Sequence, residues 1–168
     1  MPKIIENVRE MLLHEARRQA EAYGYSSVTV RSVAKKCGIG TGTVYNYFPS
    51  KDMLIASFIL EDWEKSLSVM RDTSLAGIDR LRLVWDELSD FAEEHNYIFS
   101  DSAAEKSFSD AFFKWHPHLR EQISEIILRE CGDDVFLSEF VAEAIITWSG
   151  EGRSFSELSS IIIKLLNK

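Results

Sequence analysis

Three prolines, eight glycines and two cysteines in 168 residues leave this sequence poor in the residues that break or staple a chain. So little turn chemistry suits a mostly helical protein, and no alternation of apolar and polar residues reads as a strand. Cys37 and Cys131 lie far apart and in no metal or redox spacing, which excludes a disulfide framework and points to a reduced, cytoplasmic protein. No run approaches the roughly 18 apolar residues that a membrane span needs. Lys3 and Glu6 stand where a secretory signal would need apolar residues, so none is expected. The glycines of Gly38-Ile39-Gly40-Thr41-Gly42 miss the spacing of a phosphate-binding loop, because Thr43 follows and no strand precedes them. No nucleophile with its base is legible either, so the chain is expected to be no enzyme and to hold no cofactor or metal.

What is present begins with charge. The net charge is −8, which on its face disfavours a nucleic-acid partner, but its distribution is uneven. Residues 1–58 hold eight Lys and Arg against five Asp and Glu, a balance of +3, and residues 59–168 hold eleven against twenty-two, a balance of −11. A basic head and an acidic body follow, and phosphate contact is confined to the head.

Apolar residues recur at three- and four-residue spacing along nearly the whole chain. Helices are expected at 3–23, 30–37, 41–47 and 51–71, then at 76–95, 102–115, 117–131, 134–149 and 154–167. Thr29 and Ser50 are the caps of two of them, Gly24 and Gly38 are stops, and Pro117 reads as a first-turn residue opening the seventh. The expected fold is therefore all-α. A three-helix head with a helix-turn-helix spans 1–50, and a six-helix body spans 51–168.

The head carries the chemistry. Val30, Val33 and Ala34 give the helix at 30–37 an apolar inner face, Gly38 suits a sharp turn, and Ile39, Val44 and Phe48 fill a small core. The helix at 41–47 then turns outward Thr41, Gly42, Thr43, Tyr45, Asn46 and Tyr47, a face of hydroxyls, phenols and an amide without an acid. That face suits a major groove, where Asn pairs with adenine and Thr or Tyr meets thymine methyls or phosphates.

The stretch from Tyr23 to Leu54 resembles the signature of TetR-family regulators, above all in Thr43-Val44-Tyr45-Asn46-Tyr47-Phe48-Pro49-Ser50-Lys51. The resemblance implies DNA contacts by Thr29, Arg31, Thr41, Gly42, Thr43, Tyr45, Asn46, Tyr47 and Lys51. Thr41, Gly42 and Tyr45 fall near base edges, and Thr43, Tyr47 and Lys51 fall on phosphates. Two departures stand out. Gly40 replaces the usual capping Ser, and Ala20 replaces a large aromatic that Tyr23 or Tyr25 would have to supply.

For the body, the wide apolar coverage of 134–149 and 154–167 implies a second partner surface. The resemblance makes it a homodimer interface, with candidates Phe140, Val141, Ile145, Trp148, Leu158, Ile162 and Leu165; the bland alternative is that both are core helices of a monomer. Trp85, Phe112 and Trp115 are candidates for a small-molecule effector pocket, although aromatics at helical spacing are core more often than pocket. His95, His116 and His118 read as solvated or capping, not as metal ligands. The resemblance thus implies a dimeric repressor on double-stranded DNA with a near-palindromic operator, released by a small-molecule effector. The alternative is a similar DNA-binding dimer controlled by a protein partner.

Overall fold

The computed structural model describes residues 7–72 and 74–166, and the side chains of 109–114 lie outside that description. All of its regular structure there is helical. The element order is α1 (Val8–Tyr23), α2 (Val30–Cys37), α3 (Thr41–Tyr47), α4 (Lys51–Met70), α5 (Ile78–Glu94), α6 (Asn96–Phe99), α7 (Ser102–Ile127), α8 (Val135–Gly150) and α9 (Phe155–Leu166), with short 3-10 turns at Tyr25–Ser27 and Arg129–Cys131. No helix is long and apolar enough to cross a membrane among these residues.

Local chemistry sets most boundaries. Gly24 ends α1 and Gly38 ends α2, both at positive φ, a conformation that costs any residue with a Cβ. Thr29 caps α2 reciprocally: its hydroxyl accepts from the Ser32 N–H, and the Ser32 hydroxyl accepts from the Thr29 N–H. Ser50 accepts from the Met53 N–H at the start of α4, and Asp134 accepts from the Leu137 N–H at the start of α8.

Pro117 is where the observed chain departs most from expectation. It opens no helix but lies inside α7. A mid-helix proline loses one hydrogen bond and crowds the preceding turn, a cost of about 3 kcal/mol. The apolar stripe keeps its phase across it, however. Trp115, Leu119, Ile123 and Ile126 all pack on one core, and burying residues of that size contributes about 1.5–3 kcal/mol each. Packing on both sides of the proline therefore holds the helix continuous. The short α6 is a second departure, with no amphipathic pattern long enough to announce it.

The chain divides into two compact units. One takes residues up to 62 together with 95–109, and the other takes 63–94 together with 110 onward. Two helices, α4 and α7, are therefore shared along the sequence. The first unit is built on Leu12, Ala16, Ala20, Val28, Val33, Val44, Phe48, Leu54 and Phe58, each nearly or fully buried. The second is built on one cluster from α4, α5, α7, α8 and α9, including Trp63, Leu67, Leu81, Trp85, Ile123, Ile145 and Ile162.

Candidate nucleic-acid interface

The first unit presents α3 as a helix anchored on one side only. Val44 is fully buried beneath it, Phe48 at its C-cap is nearly so, and Thr41, Gly42, Tyr45, Asn46 and Tyr47 are exposed. Thr43 is half-buried. Tyr45 and Tyr47 leave 54% and 47% of their surface to solvent, which is unusual for side chains of that size. With no capping side chain at its start, α3 begins on Gly40, whose carbonyl receives the Thr43 N–H at 3.0 Å. The capping role thus passes to Gly40's own backbone.

Arg31 is exposed at the start of α2, near the exposed hydroxyl-bearing Thr29, and Lys35 and Lys36 are exposed in its last turn. Thr29 is at once cap and surface group, so its hydroxyl already serves Ser32. Lys51 is placed differently from the rest. Its ammonium donates to the Tyr25 carbonyl at 3.0 Å and lies 3.6 Å from the centre of the Tyr25 ring. Burial lowers its pKa, with Asp52 and Asp101 opposing that shift. A phosphate at this place would share a half-buried cation instead of meeting a free one.

Of the two tyrosines that could supply an aromatic to the core, Tyr25 is the buried one. Ala20 is buried but small, Tyr23 is exposed, and Tyr25 is buried with its ring edge-to-face on Phe108 at 5.7 Å. Its hydroxyl donates to Asp52, and burial with that bond pushes its pKa up to about 12. Behind α3 the unit is tied by polar groups that the sequence did not reveal. Asp62 of α4 accepts from Arg17 of α1 and lies 3.1 Å from Nε2 of His95. His95, expected to be solvated or capping, has no exposed surface at all. Asp101 accepts from the Ser26 N–H and hydroxyl, and from the Ala103 N–H at 2.8 Å. No pattern in the sequence could have announced the ties of Asp62 to Arg17 and His95 and of Asp101 to Ser26, because their members lie 33 to 75 residues apart.

In the second unit, the expected interface residues divide. Val141, Ile145, Leu158 and Ile162 face its own core and are buried there, so they cannot form an outer surface. Leu165 is half-buried, whereas Phe140 and Trp148 are exposed together with Val135, Phe136, Ile161 and Ile163. Of the pocket candidates, Trp85 is buried against Phe155 at 5.8 Å and Trp115 is half-buried against Trp63 at 6.0 Å, while Phe112 lies outside the described residues. A cleft of about 650 Å³ in this unit is lined instead by Arg71, Leu75, Arg80, Ile126, Arg129 and Glu130, among others. Arg80 is buried there, donating to the Ile126 carbonyl at 3.2 Å. No cluster of three or more metal-ligating side chains occurs among the described residues.

Comparison with known proteins agrees with this geometry. The model of bacterial regulatory proteins of the tetR family matches residues 12–58, from α1 into α4. The HTH-type transcriptional regulator UidR of Escherichia coli is 36% identical over 64 residues, covering 38% of this chain and 33% of UidR. The HTH-type transcriptional repressor KstR of Mycolicibacterium smegmatis is 33% identical over 69 residues, covering 41% of this chain and 34% of KstR. The chain thus spans about a third of the length of these curated relatives. Over the whole chain the likeness is one of fold. The fatty acid degradation regulator FadR from Bacillus halodurans superposes with a TM-score of 0.61 at 15% identity, over 98% of this chain and 96% of that one. Mycobacterium smegmatis AmtR superposes with a TM-score of 0.53 at 17% identity, over 99% and 97%.

Proposed function

We propose, from the premise that this chain belongs to the tetR family of bacterial regulatory proteins, that it is a cytoplasmic, dimeric transcriptional repressor and not an enzyme. The observation that carries the reading is the outward face of α3, which is exposed, free of acids and rich in hydrogen-bonding groups. Such a face matches the donors, acceptors and thymine methyls of a major groove. Residues 1–50 serve as the DNA-binding domain, and residues 51–168 serve dimerisation and effector response.

Dimerisation would use the exposed apolar residues of α8 and α9, namely Val135, Phe136, Phe140, Trp148, Ile161 and Ile163. So many large apolar side chains left exposed on two neighbouring helices favour a partner site, and a two-fold dimer matches a near-palindromic operator. A small-molecule effector would enter the second unit and act through α4, which runs out of the head into that unit. The start of α4 is bound to the head by the Lys51 and Asp52 contacts to Tyr25, so a shift of α4 would carry α3 with it. Half-sites lie a helical turn apart, about 34–36 Å, so a change of a few ångströms would break simultaneous binding.

Gel shifts with duplex DNA flanking the protein's own gene test the reading. Tyr45→Ala is expected to weaken operator binding by roughly ten- to hundredfold with helicity intact, the scale of one lost base contact. Lys51→Ala is expected to weaken binding across sequences and to lower the salt slope. Unchanged affinity in both variants would sink the assignment.

A further inference from the structure

We infer that α3 reads A·T base pairs, with Asn46 as the adenine-reading side chain and Gly42 as the clearance that lets the duplex approach it. The inference rests on the DNA-binding reading above and adds the class of base pair to it.

Helix geometry sets the arrangement. At 100° per residue, Gly42 and Asn46 both lie about 160° around the helix from Val44, the residue that anchors α3 to the core. They therefore form the crest of the outward face. Thr41 and Tyr45 flank the crest on one side and Thr43 and Tyr47 on the other. The crest is the part of a recognition helix that enters a groove deepest, so its chemistry decides which base edges are read.

Gly42 has no structural reason to be glycine. Its φ is not in the left-handed region, and a Cβ built there would meet nothing within 4 Å. Within a helix, glycine is worse than alanine, because it gives up more backbone freedom and shields the backbone less. Gly38 differs in kind, since its φ of +69° demands glycine at the turn. At Gly42 the missing side chain leaves the α3 backbone open to the close approach of another surface.

The crest and flanks hold no Arg, Lys, Asp, Glu or Gln. Guanine is read by the paired donors of Arg or Lys on its O6 and N7, and cytosine N4 by a carboxylate. Asn46 offers the bidentate match to adenine N6 and N7, while the Thr41 methyl and the Tyr45 ring offer apolar contact to thymine methyls. No side chain on α3 offers guanine a bidentate Arg or Lys match, or cytosine N4 a carboxylate. Arg31, on α2, remains for the flank of the half-site.

The test is binding-site selection on the full-length chain from a duplex library with a randomised core, followed by affinity and melting measurements. The wild type is expected to enrich half-sites with a block of A·T pairs. In Asn46→Ala the adenine preference at one position per half-site should vanish, with affinity down roughly ten- to hundredfold. In Asn46→Arg that same position should turn to guanine. Gly42→Ala should raise Tm by about 2 °C and yet lower affinity for the selected duplex at least tenfold, opposite signs that a merely structural glycine would not give. Enriched sites with G·C pairs at the block, or an Asn46→Ala variant with unchanged base preference, overturn the base-reading inference. A Gly42→Ala variant that binds as well as wild type, or melts lower, overturns the role of Gly42. If the wild type enriches no duplex at all, the DNA-binding reading itself falls, and that outcome is distinct from the others.

Discussion

In the unit that carries α1, α2 and α3, long-range polar ties stand beside the apolar core: Asp62 between Arg17 and His95, Asp101 on Ser26, and Tyr25 between Lys51 and Asp52. The other unit has polar ties too, with Trp63 donating to Gln122 and Arg80 to the Ile126 carbonyl, but it is built around one apolar cluster in which Trp63, Trp85 and Phe155 meet edge-to-face with their neighbours. Size explains part of the contrast. The helices α2 and α3 are eight and seven residues long and spend their outer faces on solvent, so they bury few side chains. Directional bonds then hold the head's orientation where apolar area is scarce. The second unit has helices of 12 to 17 residues in α5, α8 and α9, whose apolar faces meet in one cluster.

The largest expected effect lies in the apolar unit. Trp85→Ala should cost about 3–5 kcal/mol in urea unfolding. A cost under about 1 kcal/mol would make Trp85 a cavity liner, as an effector pocket would have it, and not a core residue. Next in size is Asp62→Ala, which removes an acceptor from both Arg17 and His95 and should cost about 1–3 kcal/mol. Its operator affinity should fall more steeply than that of Trp85→Ala at matched residual folding; equal losses would show that polar ties give the head nothing beyond stability.

Smaller effects are expected from the caps, which compare the two units on equal terms. Thr29→Ala and Asp134→Ala each remove one side-chain cap and should each cost about 1 kcal/mol. Only Thr29→Ala should also weaken DNA binding, and a matching loss in Asp134→Ala would erase the distinction between the units. Last comes an alkaline effect confined to the head. Tyr25 is raised from 10.0 to about 12 by burial and by its bond to Asp52. Its neutral form therefore stabilises the fold fully below pH 10, and that contribution is lost as pH rises from 10 towards 12. Urea midpoints across this window should fall less in Tyr25→Phe than in the wild type; parallel curves would rule Tyr25 out as the cause.

The amino-acid sequence by itself determined the helical class, the turn at Gly38, the Thr29 cap and the acid-free outer face of α3. Each depends on residues within a few positions of one another, where periodicity and cap chemistry act directly. Tertiary structure alone decided the rest. Pro117 stays inside α7 because Leu119, Ile123 and Ile126 continue the stripe of Trp115 onto a shared core, and local propensity cannot weigh that burial. Tyr25, not Tyr23, enters the core, because only Tyr25 is turned inward toward Phe108 and Asp52. His95 is buried although histidine on a sequence plot looks like a surface residue, because a carboxylate 33 positions away meets it. The same separation governs α8 and α9, where Val141, Ile145, Leu158 and Ile162 turned inward and left Phe136, Phe140 and Trp148 outside. An apolar residue's periodicity says that it has a partner, and only packing says whether that partner belongs to its own chain.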